Sequence, residues 1–221
     1  MKIALASDLH LEFQDIEIFN TDGAEVLILA GDIMVSEPLH QHEFPPTVTS
    51  PYESYKDLGH NQLMSIRFRG FLERVSKEFP HVIYVAGNHE FYQGKFTRGI
   101  QTLRDECAKF PNVYFLEKDM KEINDIVFVG GTLWTDFNDM DSHTMFNAEQ
   151  AMNDYRSVKN TNDTVSWKFL PKHALRDHCD MRGYLQTCMD NYKHAGRTDN
   201  KIVVITHHAP SPNSIHEKYK H

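Results

Sequence analysis

Five short apolar segments rich in β-branched residues punctuate the chain: Ile3 to Ala6, Val26 to Ala30, Val82 to Ala86, Ile126 to Val129 and Ile202 to Ile205. Runs this short and this continuous predict buried strands, because a strand covered on both faces needs no polar alternation. Between them the period changes. Phe68, Phe71, Leu72, Val75 and Phe79 recur at helical spacing and stop at Pro80, which predicts an amphipathic helix lying on a sheet. Ile100, Leu103, Cys107 and Phe110 repeat the pattern up to Pro111, and Leu185, Cys188, Met189 and Tyr192 do so in a stretch that starts near Pro171. Strands alternating with helices predict an α/β architecture.

Two stretches interrupt this rhythm. Residues 34–58 carry Pro38, Pro45, Pro46 and Pro51 among mixed polar side chains and are expected to form a surface excursion. Residues 137–163, rich in Asn, Asp and Met, are expected to form a second, with a short helix near Ala148 to Tyr155. The 221 residues and their 40% hydrophobic content suit one sizeable core, so a single domain over 1–221 is expected. No internal repeat or low-complexity segment breaks it up.

Composition narrows the partners. A formal charge of −8 disfavours coating a nucleic-acid backbone. The longest apolar runs are far shorter than the roughly 18–20 residues that span a bilayer, so no membrane partner is expected. Asp8 interrupts the N-terminal apolar stretch before a secretory h-region can develop, which gives a cytoplasmic expectation. Cys107, Cys179 and Cys188 are odd in number, have no CxxC spacing, and read as reduced core thiols. The 14 histidines make the net charge sensitive to pH between about 5 and 8.

The chemistry is concentrated where strands end. The first runs into Asp8-Leu9-His10, the second into Gly31-Asp32, the third into Gly87-Asn88-His89-Glu90 and the last into Thr206-His207-His208-Ala209-Pro210. In open α/β sheets the loops beyond the carboxyl ends of the strands form the ligand crevice, so these clusters are expected to converge. Singly each is weak: Gly-Asp makes a turn and caps a helix, Asn88 suits a turn, and His89 or the His207-His208 pair suits a solvated surface. Asp8 and His10, two apart on an extended segment, would point the same way.

Taken in order, D-x-H, G-D, G-N-H-E and a His after a hydrophobic strand resemble the calcineurin-like metallophosphoesterase superfamily, from Met1 to about Ser211. Gly130-Gly131-Thr132-Leu133-Trp134-Thr135-Asp136-Phe137 and Thr206-His207-His208-Ala209-Pro210-Ser211 resemble a bacterial and bacteriophage subgroup of it. The resemblance implies a four-layer α/β fold, two packed mixed β-sheets flanked by helices, with a dinuclear metal site at one edge. Asp8 and His10 would bind the first metal, Asp32 would bridge both, Asn88 and His207 would bind the second, and His89 would be catalytic. His208 would lie alongside.

The donor types agree with that assignment. Carboxylate, imidazole and amide ligands without thiolate suit Mn²⁺, Fe, Zn²⁺ or Mg²⁺, with Mn²⁺ the first expectation. Only a carboxylate offers two anionic oxygens to ions about 3.5–4 Å apart, which puts Asp32 at the centre. Two such ions would lower the pKa of a bridging water towards 7 and support in-line hydroxide attack on phosphorus, with His89 assisting the leaving group. A small phosphoester or nucleotide is the expected substrate.

The family pattern ends in a G-H-x-H motif, absent from these 221 residues, so five ligand residues stand where the family has seven and the C-terminal strands are expected to be truncated. A non-catalytic metal- or protein-binding module is therefore the competing expectation. His40-Gln41-His42 is the sole H-x-H and is expected on the plain surface, with substitution for the missing ligands or a place bordering the substrate as the alternatives. Trp134 is expected as a packing anchor beside the site, with substrate stacking as the alternative, Arg156 as a phosphate partner or a surface ion pair, and Glu90, or another nearby carboxylate, as the support for the His89 ring.

Overall fold

A computed structural model describes residues 1–42, 58–162, 165–194 and 201–219. Strands β1 (Ile3–Ala6), β2 (Val26–Ala30), β3 (His81–Val85) and β4 (Val113–Phe115) lie in that order in a wholly parallel sheet. Such a sheet must be covered on both faces. Alternate residues divide accordingly. Leu27, Leu29, Val82 and Tyr84 join one cluster with helices α2 (His60–Glu78) and α3 (Phe96–Cys107), while Val26, Ile28, Ile83 and Val85 face a second sheet.

That second sheet has the order β5 (Asp119–Ile123), β6 (Ile126–Gly131), β9 (Lys201–Thr206). It is mixed: β5 and β6 are antiparallel, β6 and β9 parallel. Asn124 and Asp125, both left-handed at φ 48° and 63°, close the β5–β6 hairpin in the conformation a two-residue turn requires. Ile123, Phe128 and Ile205 bury against the first sheet, so the inter-sheet layer is aliphatic and aromatic. The expected pair of packed sheets flanked by helices is present, although the first sheet is parallel rather than mixed.

Edges correct the expectation that all five apolar segments are buried. β1 borders its sheet, and only Ala4 and Ala6 pack on the core while Leu5 is 71% exposed. β9 borders the other, with Val204 exposed. An apolar run reports strand formation, not the number of covered faces.

Helix α2 ends as its sequence requires, Phe79 turning extended before Pro80. α3 stops at Cys107, and Phe110 belongs to the turn that follows. Helix α7 (Pro171–His194) starts at the expected proline. The region expected as a surface excursion from residue 34 begins in the core instead. Met34, Val35 and Leu39 are buried and lead through helix α1 (Glu37–Gln41), because this segment passes beneath Phe91 and α3; residues 43–57 of that excursion lie outside the described residues. Within 137–162 the chain forms a left-handed turn α4 (Phe137–Met140), α5 (Ser142–Ala151), α6 (Asp154–Ser157) and β7 (Lys159–Asn162), which pairs with β8 (Val165–Lys168). The helix expected near Ala148 to Tyr155 is broken at the extended Met152, and Phe137, Tyr155 and Val158 are buried. Among the described residues no helix is long and apolar enough to cross a membrane.

Candidate metal centre

The carboxyl ends of β1, β2, β3 and β9 deliver their polar clusters to one edge of the two sheets. Asp8 and His10 are not extended as their spacing suggested. Asp8, His10 and Asp32 all adopt left-handed backbone, at φ 55°, 48° and 54°. That conformation is uncommon outside glycine, least so for Asn, Asp and His, and it concentrates where function demands it. Backbone bonds hold it in place: Asp8 N donates to Gly31 O at 3.0 Å and His10 N to Asp32 O at 3.0 Å, zipping the first loop to the second.

One donor atom each from Asp8, His10 and Asp32 lies within 4.8 Å of the others. Asp32 is buried and turns its two oxygens to different partners. Oδ2 is 3.9 Å from His10 Nε2, while Oδ1 is 3.4 Å from His207 Nε2 and accepts from His89 N at 2.9 Å. His207 donates Nδ1–H to Ala30 O at 2.9 Å, which leaves its Nε2 lone pair on the Asp32 side, the tautomer a metal ligand needs.

Two glycines make room for this. Gly31, at φ +88°, would place a Cβ 2.5 Å from His207 Nδ1. Gly87 would put one into Asp32 Oδ1 and 2.6 Å from Asp32 N. The Gly-Asp and Gly-Asn motifs are thus steric requirements of the packed site as well as turns.

Asn88 has its amide nitrogen directed to Tyr92 Oη at 3.4 Å and to the buried Asp154 carboxylate. With its NH₂ so engaged, the amide oxygen is the free donor. Asp154 has its carboxyl pushed up by burial, an effect its hydrogen bond from Asn88 opposes.

His89 sits between rings, stacked on Tyr92 at 4.1 Å and edge-on to His10 at 4.4 Å. Its Nδ1 meets Glu12 Oε1 at 2.9 Å, and the same oxygen is 3.2 Å from His10 Nδ1. Burial works against the imidazolium, but the Glu12 hydrogen bond and the Asp32 charge outweigh it and raise the His89 pKa. Burial likewise opposes ionisation of Glu12, and its bonds to His89 and His10 overcome it, lowering its pKa. His10, Glu12 and His89 also bring donors within 4.8 Å. Since Glu12 Oε1 already serves both imidazoles, this trio is a hydrogen-bonded relay more than an open cage.

Glu90, expected among the supports for His89, does something else. Fully buried, it accepts from Asp32 N at 3.0 Å, Ile33 N at 2.7 Å, Gly87 N at 2.7 Å and Tyr84 Oη at 2.7 Å. It ties the second and third loops together beneath Asp32. Burial, reinforced by the Asp32 charge, raises its pKa. The supporting carboxylate is Glu12, whose sequence signal was its position two residues beyond His10.

The other candidates fall outside the donor group. His208 stacks on Trp134 at 5.3 Å, and burial together with neighbouring His207 lowers its pKa to about 4, so its ring is neutral at physiological pH. Trp134 is buried among Phe91, Phe96 and Phe169, as expected of a packing anchor. His40 is exposed on α1 and His42 caps it, with His42 O held by Arg69 Nη1. Among the described residues neither joins a cluster of metal-ligating side chains. Arg156 is exposed and donates to Gln150 O.

The sequence profile of the calcineurin-like phosphoesterases matches residues 1–220, and the chain belongs to that family. An uncharacterized protein of Acanthamoeba polyphaga mimivirus is 26% identical over 209 residues, covering 92% of this chain and 66% of its own length. The chain therefore spans about two thirds of that relative. A phosphopantetheinyl hydrolase from Mycobacterium tuberculosis has the same fold, with a TM-score of 0.56 at 15% identity over 94% of this chain and 68% of its own.

Proposed function

We propose that this chain is a divalent-metal-dependent phosphoester hydrolase in which Asp8, His10, Asp32, Asn88 and His207 hold two ions and His89 serves the leaving group. The observation that carries the reading is Asp32, whose two oxygens face His10 and His207 respectively. The donor set fits the group: hard oxygen and imidazole nitrogen atoms, free of thiolate, with the His207 tautomer fixed by Ala30 O. Mn²⁺ is the first choice, and Fe, Zn²⁺ or Mg²⁺ would be accommodated by the same atoms. When bound, two such ions supply Lewis acidity to a water and to a phosphoryl oxygen.

The chain's own residues do the rest. Asp8, His10 and Asp32 present preset donors, because their left-handed backbone is locked by bonds between the two loops. Glu90 keeps Asp32 and Gly87 in register. His89, with Nδ1 on Glu12, keeps Nε2 for the leaving oxygen and holds there the proton that oxygen requires, an effect of about 10²–10⁴ in rate. A small phosphoester or nucleotide in the cytoplasm is the proposed substrate, in keeping with three free cysteines and a net charge of −8.

The deciding assay supplies Mn²⁺ with a phosphomonoester and a phosphodiester, using Asp32→Ala as background. Turnover above that background on either ester supports the reading. Metal uptake without turnover on either would make the chain the non-catalytic metal-binding module instead.

A further inference from the structure

Beside the donor group, a cleft of about 500 Å³ opens between the segment after β6, helix α7 and the segment after β9. Trp134, Asp136, Asp139, His178, His208 and Ile215 line it. It adjoins the metal donors through one imidazole, since the His208 ring stands 5.0 Å and edge-on from His207. Its volume falls in the range of small-ligand sites.

Three features set this cleft apart from an ordinary surface groove. Trp134, Asn138 and Asp139, three of the lining residues, hold positive φ at 47°, 57° and 58°, so part of one wall is left-handed backbone. Such conformations persist only where the surroundings overdetermine them, and they cluster at ligand sites. Two lining side chains more than nine-tenths buried also leave a polar atom without a partner: Trp134 Nε1 and His178 Nε2. Unpaired buried groups are rare in folded proteins and ask for an occupant. Finally, the ring tautomers are set by the backbone. His178 Nδ1 lies 2.8 Å from Leu133 O and His208 Nδ1 3.2 Å from Thr132 O, so each donates there and keeps Nε2 as an acceptor.

The lining therefore offers the carboxylates of Asp136 and Asp139 beside the His208 imidazole, backed by the buried, unpartnered Trp134 and His178, with no lysine or arginine among the described lining residues. We infer that this cleft receives the non-phosphoryl end of the substrate and selects a hydrogen-bond-donating, non-anionic group, of which an aminoalkyl chain is the simplest. This rests on the hydrolase reading, and it names the substrate class for the same site. A second phosphate or a carboxylate would meet two negative charges and no cation there; an ammonium would meet two partners.

The chain has two tryptophans, and Trp167 is exposed on β8, so Trp167→Phe makes emission a reporter of Trp134 alone. Mn²⁺-loaded protein in that background is titrated with O-phosphoethanolamine, ethyl phosphate and phosphoglycolate, which share a phosphate and differ at the far end. The expected order of affinity is aminoethyl, ethyl, carboxymethyl, with about tenfold between the extremes. Asp136→Asn with Asp139→Asn should bring that ratio close to one. Asn keeps the cap that Asp136 Oδ1 makes to Asn138 N, and Asp139→Asn alone, at an exposed position, gives the same direction if the double variant folds poorly. Equal affinities in the parent protein, an unchanged ratio in the variants, or a Trp134 signal indifferent to all three ligands would each overturn the inference. The two readings separate: a preserved affinity order in Mn²⁺-loaded protein that hydrolyses none of the three ligands would refute the hydrolase reading while leaving the cleft assignment standing.

Discussion

Glu12 Oε1 lies 2.9 Å from His89 Nδ1, joining residues 77 positions apart across the mouth of the site. The bond does two things at once. It fixes the ring with Nε2 free, and it favours the imidazolium against the burial that would discharge it. Glu12 is thus the positioning carboxylate of the proposed acid.

Glu12→Gln should separate these effects. Glutamine retains an acceptor for Nδ1–H but removes the charge that raises the His89 pKa. Activity that depends on protonated His89 is lost as pH rises through that pKa, so the alkaline limb of kcat/KM should move to lower pH. The rate at neutral pH should fall by about 10- to 100-fold. A limb that stays in place in Glu12→Gln would remove Glu12 from this role.

His89→Asn should discriminate between leaving groups. An alkyl phosphoester needs a proton on its departing oxygen, whereas a nitrophenyl ester leaves readily without one. The substitution should therefore slow the alkyl ester by about 10²–10⁴ and the nitrophenyl ester far less. Equal losses at unchanged metal content would leave His89 only the task of orienting phosphate.

Metal content sorts ligands from the acid. Asp32→Ala and His10→Ala remove donors from the group gathered within 4.8 Å and should lower both bound metal, by elemental analysis, and turnover. His89→Ala should keep its metal and lose rate. Metal loss in His89→Ala would instead favour the His10, Glu12 and His89 trio as an ion site.

Gly87→Ala tests the steric reading of the third motif. Its Cβ would run into the Asp32 carboxylate, so Asp32 or the loop must shift. A destabilisation of about 1–3 kcal/mol is expected, together with weaker metal binding than that loss of stability alone explains. Unaltered metal affinity by calorimetry would show that Asp32 can move without consequence.

What the sequence determined by itself was the local grammar. Apolar runs located β1, β2, β3, β6 and β9, because four or five consecutive β-branched and aliphatic residues have few other stable settings. Pro80 and Pro171 marked helix ends for reasons of backbone sterics. Polar clusters after strands were legible for the same reason: they interrupt an apolar pattern. β4 and β5 were not, since Val113–Phe115 is only three residues long and Asp119–Ile123 is a half-exposed edge whose polar alternation resembles a loop. Tertiary structure alone decided which carboxylate serves which partner. Glu90 adjoins His89 in sequence yet turns beneath Asp32, while Glu12 reaches His89 from another strand's loop. It also decided that the residues after Asp32 dive into the core, and that Gly31 must be glycine because His207 arrives 177 positions beyond the Ala30 carbonyl it bonds. Periodicity records which side of an element is buried; the partners across a gap depend on how separate loops pack, and packing is set by the whole chain.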